Sequence, residues 1–99
     1  MPELSTLSED GKILTYKIEK DTLKVGRAKD NDVLLKDQTV SRKHAELNKT
    51  TAGYLLKDLG SHNGTFVNGT RISQLLVRHH DRIKIGSSII TFLDDSVSQ

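Results

Sequence analysis

Ninety-nine residues supply enough chain for one domain with one core, and 34% hydrophobic with 28% charged residues is a globular balance that excludes a disordered segment. With no cysteine, a disulfide scaffold and a thiolate zinc site are both excluded, and no apolar run approaches the roughly 18 residues that span a bilayer. The net charge of +2 arises from 15 basic and 13 acidic residues interleaved along the chain, so no basic block offers a general field for nucleic acid.

The segment from Met1 to Asp10 has neither the basic nor the apolar part of a signal peptide, and a soluble, cytoplasmic domain is expected. From there the apolar residues recur every second position. Leu14, Tyr16 and Ile18 alternate with Thr15 and Lys17; Leu23 and Val25 flank Lys24; Ile83 and Ile85 alternate with Arg82 and Lys84; Ile90 and Phe92 flank Thr91. Turn signals punctuate these runs at Glu9-Asp10-Gly11, Lys29 to Asp32, Gly60, Asn63-Gly64, Asn68-Gly69 and Gly86. Half-buried strands are therefore expected over 3–7, 12–19, 22–27, 32–35, 43–49, 53–59, 65–68, 70–73, 82–86 and 88–94, an all-β sandwich or barrel. Asn68-Gly69 is the sharpest hairpin signal, because a type I′ turn needs positive φ at both central residues. Residues 1–95 are expected to form the domain, and the polar end 96–99 to fray.

Polar candidates cluster where strands meet loops. Arg27 follows Gly26 at a strand end, where a guanidinium can grip an oxyanion bidentately or simply stay solvated. Ser41 and His44 stand three residues apart before the run His44-Ala45-Glu46-Leu47. The pair lacks the elbow and orienting carboxylate of a hydrolase, so His44 is expected to fix its loop by hydrogen bonds and to leave Ser41 free to donate. Asn63 carries both a donor and an acceptor for a peptide backbone, or else occupies a left-handed turn position. His79 and His80, with His44 and His62, invite a metal site, but neighbours on a strand point to opposite faces and no metal is expected. Two Tyr and two Phe are too few for a stacking surface for single-stranded nucleic acid.

Taken in order, Gly26-Arg27, Ser41-x-x-His44, Asp58-Leu59-Gly60-Ser61-x-Asn63-Gly64-Thr65-Phe66-x-Asn68-Gly69 and Asp81-x-Ile83-x-Ile85-Gly86 resemble a forkhead-associated (FHA) domain, from about Leu4 to Leu93. The resemblance implies an eleven-stranded β-sandwich of two mainly antiparallel sheets that binds phosphothreonine segments of partner proteins without catalysis. By position it implies that Arg27, Ser41 and Arg42 hold the phosphate and that Asn63 bonds the peptide backbone. Ser61 and His62 then shape that loop, Thr39 lies nearest the residue reader three positions after the phosphothreonine, with weak charge selectivity, and Gly26, His44, Gly64, Asn68 and Gly69 are architectural. Such a site suits a group that carries about −1.5 to −2 charges and three strong acceptors. The implied partner is a Ser/Thr kinase or its substrate, with no cofactor, no membrane, no nucleic acid and a monomeric isolated domain. The competing expectation is a scaffold of the same fold that binds independently of phosphorylation or self-associates. Where the family commonly has glycine, this chain has His80 before Asp81, so an altered turn is expected there.

Overall fold

Alternating side chains need two sheets to close a core between them, and this chain supplies both. The structure is a computed structural model that describes residues 2–7 and 11–94; the expected fraying at 96–99 lies outside the described residues. Among the described residues there are eleven strands and no helix: β1 (Glu3–Leu7), β2 (Ile13–Lys17), β3 (Thr22–Gly26), β4 (Val33–Leu34), β5 (Ala45–Thr50), β6 (Gly53–Asp58), β7 (Thr65–Val67), β8 (Thr70–Ile72), β9 (Gln74–Val77), β10 (Arg82–Ile85) and β11 (Ser88–Leu93). A six-stranded sheet runs β2-β1-β11-β10-β7-β8 and a five-stranded sheet β4-β3-β5-β6-β9. The β3–β4 pair is parallel, and the other pairings are antiparallel. This is the expected mainly antiparallel sandwich.

The core forms where the inner faces meet: Leu4, Ile83, Ile85, Ile90 and Phe92 from the larger sheet pack with Leu23, Val25, Leu47 and Leu56 from the smaller. Burial of each such side chain stabilises the fold by roughly 1.5–3 kcal/mol. Tyr54 tilts against Phe92 with ring centroids 5.5 Å apart. Asn68 (φ 51°) and Gly69 (φ 89°) both take positive φ in the β7–β8 hairpin, as a type I′ turn demands.

Three expectations fail. No strand was expected over 74–77, yet β9 pairs with β6; its run Gln74-Leu75-Leu76-Val77 shows no alternation because it is a sheet edge, where Leu75 and Leu76 stay 38% and 42% exposed. The second run was expected as a half-buried strand over 12–19; β2 spans Ile13–Lys17 and Ile18 just beyond it is buried, but Ile13 and Leu14 are largely exposed. As an edge of the larger sheet, β2 is incompletely covered, and Leu14 and Tyr16 line an open cleft with Leu34 of β4. The third failure is at His80, which keeps the left-handed conformation at φ 75° instead of altering the turn. There His80 N donates to Phe92 O (2.7 Å), Asp81 N to Arg78 O (2.9 Å) and Arg78 N to an Asp81 carboxylate oxygen (2.8 Å). These bonds hold a conformation that costs a non-glycine residue roughly 1–2 kcal/mol. Because His79 and His80 lie in this turn and not on a strand, their rings stack at 3.8 Å and do not point to opposite faces.

Candidate functional site

Strand directions bring the β3–β4, β4–β5, β6–β7 and β10–β11 connections to one end of the sandwich. The first two are pressed together at Gly26, where a β-carbon would lie 2.2 Å from the Arg42 carbonyl oxygen. Only glycine fits that approach. It lets Arg27 N donate to Ser41 O (3.1 Å) and Ala28 N to Arg42 O (3.2 Å), so the β4–β5 loop lies against the end of β3. The Arg42 carbonyl also accepts from Asn31 Nδ2 (2.8 Å), while its side chain is exposed.

Arg27, also exposed, donates from Nε to the Val40 carbonyl (3.0 Å). That bond fixes the guanidinium against the loop and leaves both Nη groups as donors. Ser41 Oγ accepts from His62 N (3.0 Å), and because the hydroxyl serves there as acceptor, its own hydrogen remains to donate.

His44 joins the two longer loops from the inside. It is fully buried; Nδ1 accepts from Ser41 N (3.1 Å) and Nε2 lies 2.8 Å from Gly64 O. A backbone N–H on Nδ1 places the imidazole proton on Nε2, which donates to the carbonyl. Both ring nitrogens are therefore engaged by backbone, and neither is the base of a Ser41 nucleophile.

The β6–β7 loop is built on Asp58. Its carboxylate accepts from Ser61 N (3.1 Å), Ser61 Oγ and Thr65 Oγ1 (2.7 Å), and the buried Ser61 Oγ accepts in turn from Gly64 N (2.9 Å). Burial raises the carboxyl's pKa, but the bonds from Ser61 and Thr65 outweigh it and hold the group below its ordinary 3.8. Asn63, at the exposed tip, donates from Nδ2 to Thr39 O (2.7 Å) and so bridges to the β4–β5 loop. It does not take the left-handed turn position, since Asn68 and His80 are the non-glycine residues with positive φ among those described. His62 is exposed beside it, and Gly64 (φ 89°) is buried under the Arg71 side chain.

Thr39 is held from below by Asp37, whose Oδ1 accepts from Thr39 N (2.9 Å) and Thr39 Oγ1 (2.6 Å). The other oxygen accepts from Ser87 N (2.8 Å) and Ser87 Oγ in the β10–β11 turn. Hydrogen bonds from Ser87 and then Thr39 drive the Asp37 carboxyl far below the usual carboxylate range. Gly86 completes the latch, because a β-carbon there would press on Val40, Thr39 and Asp37 at 2.6–2.9 Å.

The end of the sandwich thus brings together Gly26, Arg27, Thr39, Ser41, Arg42, His44, Ser61, His62, Asn63 and Gly64. Asn68 and Gly69 turn at the opposite end, where Asn68 Nδ2 donates to Asp81 (3.0 Å) and Asn68 Oδ1 accepts from Arg82 N (3.1 Å). Asp37, Asp58 and Ser87 were not singled out from sequence as site residues. The spacing Asp58-x-x-Ser61 is a local signal for a side-chain-capped turn, whereas nothing local links Asp37 to Ser87.

The family model described as FHA domain matches residues 23–86. An oxoglutarate dehydrogenase inhibitor of Corynebacterium jeikeium is 37% identical over 81 residues, which cover 82% of this chain and 56% of that protein. A solved structure described as an analysis of phosphothreonine-dependent FHA domain interactions superposes with a TM-score of 0.83 at 32% identity, covering 93% of this chain and 96% of its own. Mycobacterium tuberculosis EmbR in complex with a low-affinity phosphopeptide gives a TM-score of 0.79 at 30% identity, covering 92% of this chain and 24% of EmbR. The chain spans between 10% and 56% of the length of the curated relatives it matches.

Proposed function

The chain belongs to the FHA family, and from that premise we propose that it is a non-catalytic module that binds phosphothreonine segments of a partner protein, a Ser/Thr kinase or its substrate, in the cytoplasm. In this reading the Arg27 Nη groups, the Ser41 hydroxyl and Arg42 hold the phosphate, and the Asn63 amide pairs with the peptide backbone. One observation carries it: the Arg27 Nε bond to Val40 and the Ser41 Oγ bond to His62 fix both side chains while leaving donors over. Donors held in place before the ligand arrives lose little entropy on binding, and charge-assisted bonds to phosphate are about twice as strong as neutral ones.

The Asn63 role has a structural condition. Nδ2 already gives one hydrogen to Thr39 O, so the peptide takes the second N–H and Oδ1, or displaces the Thr39 contact. A non-catalytic role is supported by His44, which is spent on backbone and is no base for Ser41. Among the described residues no helix is long and apolar enough to cross a membrane.

Matched peptides carrying threonine, phosphoserine and phosphothreonine at one position test the proposal by calorimetry. Tight binding of the phosphothreonine peptide alone is expected. Phosphoserine lacks the methyl group of phosphothreonine, and burial of one methyl is worth roughly 0.8 kcal/mol before any reorientation of the phosphate, so a weaker phosphoserine complex is expected. Equal affinity for all three peptides would instead support a phosphorylation-independent scaffold.

A further inference from the structure

The outer face of the six-stranded sheet carries one register line that crosses every strand. Arg71 of β8 pairs with Phe66 of β7, Phe66 with Lys84 of β10, Lys84 with Ile89 of β11, Ile89 with Leu7 of β1, and Leu7 with Ile13 of β2. Five steps of about 4.8 Å make the row about 24 Å long. Its last three members are 36%, 49% and 67% exposed and belong to the few large apolar side chains the fold leaves in water. Their neighbours Ile90 and Thr6 are buried, so the core is made by the alternate positions and does not call for apolar residues at Ile89 and Leu7. The first half of the row carries Arg71 and Lys84 and no carboxylate, and the next row, Thr15, Ser5, Thr91 and Arg82, has none either.

This row is the one nearest the loops that carry Ser41 and Asn63. Phe66 lies three residues beyond Asn63, and the Arg71 side chain covers Gly64 of the same loop so closely that a β-carbon there would come within 2.8 Å of Nε. The surface is thus continuous with the candidate site, basic next to it and aliphatic further away.

We propose that this strip docks the flank of the same phosphorylated partner, a segment with acidic residues near the phosphothreonine and aliphatic residues beyond them; the inference rests on the phosphothreonine reading above. Charge complementarity favours this occupant over a second copy, which would set Arg71, Lys84, Arg82 and Lys17 against one another with Glu3, itself opposite Lys17, as the one carboxylate among the described strand residues of this face. Two cations in a row are also a weak attraction for an anionic lipid surface. An extended flank of about seven residues covers the row.

The test uses the best short peptide from a randomised phosphothreonine library, alone and extended at either end by about seven residues, acidic first and leucine-rich outward. Affinities are measured by anisotropy for the wild type, Lys84→Glu and Ile13→Ser, both exposed changes away from the phosphate loops. One extended peptide is expected to bind roughly ten-fold more tightly than the short one, with that gain reduced in both variants and the short peptide unaffected. Binding of the short peptide with no gain from either extension, or a gain that survives in Lys84→Glu, overturns the strip. A dimer in sedimentation that Ile13→Ser dissolves, or binding to phosphatidylserine-containing vesicles that Lys84→Glu abolishes, overturns it in favour of those occupants. If no phosphothreonine peptide binds, the functional proposal falls and the strip with it.

Discussion

The two ends of the sandwich solve the same problem in different ways. At the end opposite the loops, Asp81 accepts from Asn68 Nδ2 and from Arg78 N, and Asn68 Oδ1 accepts from Arg82 N, so two adjoining turns close on each other. At the loop end, Asp37, Asp58 and His44 hold the β4–β5, β6–β7 and β10–β11 connections from within, and the bonds to Arg27 and Ser41 leave donors unspent. A carboxylate next to a turn is therefore no sign of function in itself. What distinguishes the recognition end is that its internal polar groups satisfy one another and hold its outward donors still.

The largest contrast between the ends is expected from His44→Ala. It removes a fully buried ring and strands Ser41 N and Gly64 O, for an expected destabilisation of roughly 3–5 kcal/mol and a loss of peptide binding with it. Denaturant unfolding beside a peptide titration checks both. A variant that melts like wild type yet loses all binding would show that the imidazole touches the ligand.

Asp37→Asn tests whether the latch matters to recognition without touching phosphate. An amide keeps one acceptor for Thr39 but offers donors to Ser87 N–H, so a melting temperature lower by about 4–8 °C, for roughly 1 kcal/mol at this partly exposed site, and a several-fold weaker peptide affinity are expected. The same group sets a pH dependence. Asp37 and Asp58 have depressed folded pKa values, so the stability they lend is complete well above pH 3.8, their ordinary value, and is lost as pH falls below it towards the folded values. Melting curves between about pH 5 and 2 should show that loss, and Asp37→Asn should flatten it.

The smallest effect, of opposite sign, belongs to the far end. His80→Gly relieves the left-handed strain but adds freedom to the unfolded chain, for a net gain of about 0.5 kcal/mol and unchanged peptide affinity. A change in affinity as large as that of Asp37→Asn would contradict the separation of the two ends.

Much of this was legible where the signal is local. Alternation at Ile83 and Ile85 and positive φ at Asn68-Gly69 are set by residues within a few positions, whereas the approach of Gly26 to Arg42 belongs to the tertiary fold. Of the edge strands, β2, β4 and β8 fall within the expected runs 12–19, 32–35 and 70–73, whereas β9 was not legible, because Gln74-Leu75-Leu76-Val77 shows no alternation. The latch was hidden for another reason: Asp37 and Ser87 stand 50 positions apart and meet only after both sheets have formed. His80 shows the converse, a residue that contradicts local preference and is held in place by tertiary bonds.

The central claim is that Arg27 is a phosphate ligand held ready by the loop and is not part of what holds the fold. Calorimetric titration of wild type and Arg27→Ala with one phosphothreonine peptide, alongside their melting curves, tests it most directly. The expected result is a loss of roughly 1.5–3 kcal/mol, about ten- to a hundred-fold in affinity, with a wild-type melting temperature. Unchanged affinity at an unchanged melting temperature would contradict the account.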